Sequence, residues 1–297
     1  KNTTTCKPVS RQVLFTATNS STNIHGGLDS RGRIFPLRNR ESMPAAITIQ
    51  DVSKSFSTEG QPILAFGPAD LEVEEGDFVT LLGPSGCGKS TLLLMIAGLL
   101  SCTTGKIVMN HEEVSEPRHD IGMMFQDSTL VPWRTVLGNI NLQLELRNLN
   151  LDEYSVKISE LMESVSLKGY EHLRPHELSG GMQQRAALCQ ALIHEPKTLL
   201  LDEPLGKLDA MTRENIRKDL QNLWMNEKPT VLMVTHSIEE AVQLSSKVCV
   251  ITPRPGLIDK TIEVKLPWPR DLDVKRSQMF TDYMAEIQEV FQGYGVI

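Results

Sequence analysis

Long apolar runs are missing from this chain of 297 residues. The longest, Leu92 to Ala97, is far short of the roughly 18 residues that a membrane-spanning helix requires. Ordered cysteine spacing is missing too. Cys6, Cys87, Cys102, Cys189 and Cys249 are scattered, with no CxxC pair and no metal-ligand spacing, which excludes a disulfide framework and fits reduced cytosolic thiols. Positive charge is in deficit, with 30 Lys and Arg against 37 Asp and Glu. A net charge of −7 is not the balance of a nucleic-acid binder. The N-terminus has no apolar core of the kind a secretory signal carries.

What charge there is divides unevenly. Residues 1–42 are rich in Ser, Thr and Asn and hold seven basic residues, Lys1, Lys7, Arg11, Arg31, Arg33, Arg38 and Arg40, against Asp29 and Glu41. That stretch is therefore five charges positive, leaving the remainder twelve negative. Its composition reads as a disordered or artefactual extension, with an organelle transit peptide as the alternative. Met43 stands just before the first expected strand, Ile47–Ile49, and reads as the natural start.

Gly83, Pro84, Ser85, Gly86, Cys87, Gly88, Lys89 and Ser90 spell GPSGCGKS, the pattern G-x-x-x-x-G-K-[ST] of a phosphate-binding loop. The apolar run Phe78–Leu82 before it reads as a buried parallel strand, and Thr91 to Ala97 after it as a helix. Glycines there let the backbone turn its N–H groups toward phosphate oxygens, and the helix adds the positive end of its dipole. Lys89 is expected on the β- and γ-phosphates, and Ser90 on Mg²⁺. A second apolar run, Thr198–Leu201, ends in Asp202 and Glu203, where ligands sit in open α/β sheets. A third, Thr230–Thr235, ends in His236.

Leu178 to Arg185 read LSGGMQQR, downstream of the phosphate loop and upstream of the acid pair. In that order the motifs resemble those of the ATP-binding cassette (ABC) ATPases, and the resemblance runs from about Ala46 to about Leu266. It implies an α/β P-loop NTPase (RecA-like) core with an antiparallel β subdomain and an inserted helical subdomain. It also implies ATP and Mg²⁺ as cofactors. Asp202 and Gln126 then attend the metal together with Ser90, Gln126 also touches the attacking water and links nucleotide state to the helical subdomain, Glu203 polarises that water, and His236 is the switch histidine on the γ-phosphate. Phe56, 27 residues before Gly83, stands where the family stacks an aromatic on adenine, though a core Phe is the competing reading. Ser179, Gly180 and Gly181 suit an anion at a helix start, and the family uses them to close the ATP of a second subunit. Asp209 keeps an expected acid in the segment crossing that dimer interface. Two departures stand out: Ser237 where the family carries Asp, and Lys207 where it carries a small residue.

Within the family, the segments Leu130–Val136 (LVPWRTV), Ile251–Gly256 (ITPRPG) and Leu266–Arg270 (LPWPR) resemble the nitrate/sulfonate/taurine importer ATPases. The first lies where the family receives the coupling helix of a permease, with Pro132 and Trp133 as an apolar rim, or Trp133 as a buried core residue. The resemblance implies a homodimer, transmembrane permease subunits and, indirectly, a periplasmic solute-binding protein. No nucleic acid is expected, and the place is the cytoplasmic face of the inner membrane, peripherally. The alternative is a non-transport ABC ATPase acting on ribosomes or DNA. Against it, the chain carries one cassette, and the 53 residues from Gln126 to Ser179 leave no room for long coiled coils.

Expected boundaries are an extension over 1–43, an ATPase domain over 44–266 with its helical subdomain at about 127–190, and a helical tail over 267–297. Short strands are expected over 47–82 with a turn near Thr58-Glu59-Gly60. Gln143 to Lys168 reads as helical, with Leu151, Tyr154, Ile158, Leu161, Met162 and Val165 toward the core, and Phe280–Phe291 as a last amphipathic helix. If the extension contributes nothing to the ATPase, deleting residues 1–42 leaves melting temperature and ATP turnover unchanged. A clear drop in melting temperature overturns that reading.

Overall fold

A computed structural model of the chain describes residues 26–28, 34–36, 44–58, 61–206 and 208–296. Residues 1–43 and 44–297 are separate units. In the first, β1 (Gly26–Leu28) pairs antiparallel with β2 (Ile34–Pro36); the rest of the N-terminal extension lies outside the described residues.

The second unit begins with two strands of 14 residues each, β3 (Ala45–Thr58) and β4 (Gln61–Glu74). The short strands expected over 47–82 are thus these two long ones and one short strand at Phe78–Leu82, and Glu59 and Gly60 of the expected turn lie outside the described residues. Alternation explains one face: Ala69, Leu71 and Val73 are buried while the residues between them are exposed. Several register shifts keep so long a pair twisted. β6 (Thr104–Met109) and β7 (Glu112–Glu113) complete an antiparallel sheet in the order β4-β3-β6-β7.

The parallel strands of the central sheet are built on largely apolar runs, as strands covered on both faces are. β5 (Phe78–Leu82), β8 (Ile121–Met124), β9 (Thr198–Asp202), β10 (Thr230–Thr235) and β11 (Lys247–Ile251) are parallel, and β12 (Ile258–Glu263) adds an antiparallel edge. Their order is β12-β11-β5-β10-β9-β8. Every residue of β5 and β10 is buried. Helices α1 (Lys89–Ile96), α5 (Ala210–Glu227) and α6 (Ile238–Leu244) follow β5, β9 and β10.

Between β8 and β9 lie α2 (Val136–Leu146), α3 (Ser155–Ser164) and α4 (Gly180–Leu192). The single helical stretch expected over Gln143–Lys168 is broken. Asn148 takes a positive φ of 54°, which asparagine tolerates better than most residues, and Asn150 caps a short 3₁₀ turn at Leu151–Tyr154. Ile158, Leu161, Met162 and Val165 are buried as expected, but Leu151 is exposed.

The tail, with α7 (Leu272–Lys275) and α8 (Gln278–Gly293), packs Phe280, Ile287 and Phe291 against α6 and the β11–β12 edge. Arg270 fastens its entry. The side chain is 1% exposed and donates to the carbonyls of Val242, Ser245, Val264 and Leu266. Its guanidinium stacks on Trp268 at 3.9 Å. Burial depresses its pKa to about 9.

At the end of α4, His194 Nε2 donates to the Ile121 carbonyl at 3.0 Å, so its buried Nδ1 carries the lone pair and has no partner. Burial and the neighbouring Arg147 push its pKa down to about 4. A base whose folded pKa is depressed takes up its proton in the unfolded chain first, so stability falls as pH drops from about 6.5 toward 4. The melting temperature should decline across that window, and His194→Gln should flatten the decline. An unchanged slope in the variant refutes this account.

Candidate functional site

Parallel strands place their carboxyl ends on one side, and the site is assembled there. β5 ends at Leu82 and runs into Gly83–Ser90. Gly86 and Gly88 take φ of 78° and 98°, values open to glycine and strained for other residues. A Cβ on Gly88 would also meet the Ala65 carbonyl of β4 at 2.5 Å. The loop therefore fits tightly under the β3–β4 hairpin. Helix α1 starts at Gly88 without a side-chain cap, which leaves its first N–H groups for an anion. Lys89 is 4% exposed, and its Nζ donates to the carbonyls of Gly83 at 2.9 Å and Pro84 at 2.8 Å. Cys87 is buried beside it, and burial pushes its thiol pKa up, so it fills space rather than supplying a thiolate.

β9 brings the acids alongside. Ser90 Oγ donates to Asp202 Oδ1 at 2.8 Å. Burial raises the Asp202 pKa, the Ser90 bond opposes the rise, and the adjacent Glu203 charge adds to it. Glu203 turns out of the strand at a φ of 44°, its N–H held by the Val234 carbonyl at 3.0 Å. That turn aims its carboxylate at two neighbours from other strands. Gln126 Nε2 donates to Glu203 Oε2 at 3.2 Å, and His236 Nδ1 lies 3.2 Å from the same oxygen. One carboxylate oxygen thus gathers the ends of β8, β9 and β10.

A cleft of about 540 Å³ opens beside this group; Gln126 and Glu203 line it, while Asp202 and His236 are not among its lining residues. Phe56 and Ile63 of the hairpin, Ser85, Gly86, Lys89, Ser90 and Thr91 of the loop and α1, and Gln126 and Glu203 from beyond β8 and β9 line it. Phe56 is 44% exposed, so its ring is a wall of the cleft and not core. A larger hollow of about 740 Å³, between residues 110–120 and 194–197, holds none of the expected site residues.

Ser179, Gly180, Gly181 and Asp209 are not among the residues lining the cleft. Ser179 caps α4 through Met182 N–H, and space around Gly180 is open. Asp209 caps α5 by accepting from the N–H groups of Met211 and Thr212. A Cβ on Gly181 would strike Thr212 Cγ2 at 2.3 Å, so these two helix starts are in contact. Ser237 caps α6, accepting from Glu240 N–H at 3.3 Å, a task serine performs about as well as aspartate. Lys207 lies outside the described residues.

Two further placements are not legible in the motifs. Arg254, noted only within ITPRPG, reaches the cleft and donates from Nε to the Gly86 carbonyl at 3.3 Å. The turn carrying Trp133 is pinned from inside by the fully buried Asn139. Its Oδ1 accepts from Val131 N–H at 2.6 Å, and its Nδ2 donates to the carbonyls of Val131, Arg134 and Thr135. Trp133 itself is 75% exposed, which removes the core reading.

The ABC transporter family profile matches residues 66–206. An aliphatic sulfonates import ATP-binding protein, SsuB, of Bacillus cereus is 41% identical over 251 residues, 84% of this chain and 98% of that protein. A taurine import ATP-binding protein, TauB, of Jannaschia sp. is 38% identical over 81% of this chain and 92% of its own length. Among solved structures, a dimeric bacterial ABC transporter cassette superposes with a TM-score of 0.67 at 30% identity, covering 74% of this chain and 99% of that one. A post-hydrolysis dimer of an ATP-binding cassette bound to ADP and Pi gives the same TM-score at 29% identity, again over 74% of this chain and 99% of that one. With the nucleotide cleft and its sheet-edge acids already in view, these likenesses carry the conclusion that the chain belongs to the ABC transporter family and is one of its ATP-hydrolysing cassettes.

Proposed function

We propose that this cassette energises import of a nitrate-, sulfonate- or taurine-type solute, as a head-to-tail homodimer beneath separate permease subunits served by a periplasmic binding protein. Its place is then the cytoplasmic face of the membrane; among the described residues, no helix is long and apolar enough to cross it. The observation that carries the catalytic part is the convergence of Gln126 and His236 on Glu203 Oε2 beside the phosphate-loop cleft.

In this reading Phe56 stacks on the adenine, and the N–H groups of Gly86, Gly88 and Lys89 hold the phosphate chain. Lys89 exchanges its carbonyl partners for the β- and γ-phosphates. Ser90, Asp202 and Gln126 offer hard oxygen donors, the kind that suit Mg²⁺. When bound, Mg²⁺ supplies neutralisation of phosphate charge. Glu203 accepts the hydrogen bond of the attacking water and orients it, His236 donates toward the γ-phosphate, and Gln126 keeps the carboxylate in place. Ser179, Gly180 and Gly181, set apart from their own chain's cleft, close the ATP of the partner subunit, and Asp209 stands at the same interface.

Two outcomes test this. Glu203→Gln keeps the shape and the hydrogen-bonding ability but not the base, so ATP affinity should persist while turnover falls on the order of 10²-fold. The variant should then run as an Mg-ATP-dependent dimer in size-exclusion chromatography. Normal hydrolysis sinks the role of Glu203, and a monomer that binds but does not hydrolyse ATP counts against the two-site sandwich. Trp133→Ala, at an exposed position, should leave folding and ATP binding intact yet weaken co-purification with the permease, since one aromatic anchor contributes ~2 kcal/mol or more. Undiminished co-purification removes Trp133 from that interface.

A further inference from the structure

We infer that Arg254 is an additional nucleotide-binding residue, its guanidinium donating to the phosphate chain of the ATP held over Gly86. The inference rests on the assignment of the cleft to ATP and adds a residue from outside every motif that marks it. Three observations carry it.

The first is placement. Arg254 lines the same cleft as Lys89, Ser90 and Phe56. It approaches from the segment after β11, on the opposite side of the phosphate loop from the acids of β9. One donor, Nε, is spent on the Gly86 carbonyl at 3.3 Å. The remaining four N–H donors of the fork are those that bind phosphate oxygens in pairs.

The second is rigidity. The loop carrying Arg254 is tied across its own base: Thr252 N–H donates to the Leu257 carbonyl, Thr252 Oγ1 to the Pro255 carbonyl, and Leu257 N–H to Thr252 Oγ1. It is also tied to its surroundings, because Gly67 N–H donates to the Gly256 carbonyl at 2.8 Å. A Cβ on Gly256 would sit 1.9 Å from the Cys87 carbonyl, so this backbone lies directly against the phosphate loop. An arginine on such a loop loses less freedom on meeting a ligand than one on a free surface.

The third is charge. None of the ion pairs among the described residues neutralises Arg254. In a chain of net charge −7, a cation with no carboxylate partner among the described residues, lining a polyphosphate cleft, has one evident counter-ion.

The test measures ATP, ADP and AMP affinity of the full chain and of Arg254→Ala, Arg254→Lys and Arg254→Gln at two salt concentrations, with Lys89→Ala as reference. Arg254→Ala should weaken ATP and ADP on the order of tenfold, the effect of losing a hydrogen bond to a charged group, and AMP much less. Arg254→Lys should recover part of the affinity, and Arg254→Gln, which keeps a donor for Gly86 but no charge, should not. Four results overturn the inference. They are affinities within twofold of wild type in Arg254→Ala, equal losses for AMP and ATP, full rescue by Arg254→Gln, and a loss that does not shrink at high salt. Failure of the wild-type chain itself to bind ATP would instead strike at the ATP assignment.

Discussion

Strands that run the same way must end on the same side, and the charged chemistry of this chain depends on that constraint. β5, β10, β9 and β8 are in parallel register, with Thr235 level with Leu82, Val234 with Asp202, and Met124 with Leu201. The residues just past those positions are Gly83, Glu203, His236 and, two further on, Gln126. Interior positions of β5, β9 and β10 are buried and, Thr80 apart, apolar, so polar groups gather at the carboxyl ends of the strands. Burial still acts there: it raises the Asp202 pKa, and the Ser90 hydroxyl offsets part of that cost with a 2.8 Å bond.

Lys89 shows how the edge is poised. An ammonium has three donors, and two are given to the carbonyls of Gly83 and Pro84 while the third faces Cys87 Sγ at 3.8 Å. These are neutral acceptors, and the last is a weak one. A phosphate oxygen makes the stronger charge-assisted bond, so the loop satisfies its buried cation without outbidding the ligand. The same economy governs backbone placement. Glu203 sits in a left-handed conformation that costs a non-glycine residue about 1–3 kcal/mol, and the Val234 bond and the Gly206 turn hold it there.

Much of this was legible in the sequence because it is local. An apolar run followed by glycines and Lys-Ser, or ending in Asp-Glu or His, states both a strand and what its end carries. Phe56 was legible as an aromatic at the right distance, and Ser237 only as a departure, since its capping bond needs the helix geometry. What stayed hidden depends on contacts between distant parts of the chain. Nothing in ITPRPG says that Arg254 returns to a loop 168 residues earlier. No motif marks Asn139, whose side chain holds the turn before it. Arg270 stands in the sequence only as the last residue of LPWPR, yet it is buried on four carbonyls and a tryptophan face. The break between α2 and α3 was missed because the apolar spacing of Leu151 and Tyr154 continues through a 3₁₀ turn as though the helix did.

The placement of Trp133 relative to Glu203 follows from a chain of amide bonds. Glu203 accepts from Gln126 Nε2, and the Gln126 carbonyl accepts from Gln184 of α4 at 3.4 Å. Further along α4, Gln190 donates to the Asn139 carbonyl at 2.9 Å, and Asn139 pins the turn that exposes Trp133. Each such bond contributes only about 1 kcal/mol net, too little for the chain of bonds to store the energy of a transport step. What it fixes is alignment. α4 packs on α2 and joins the same apolar core as α3, and packed helices move as bodies rather than bend. On the proposed function, a displacement imposed at Gln126 by events on Glu203 would therefore reach Trp133 as movement of the helical layer, and the turn that Asn139 holds would pass it outward.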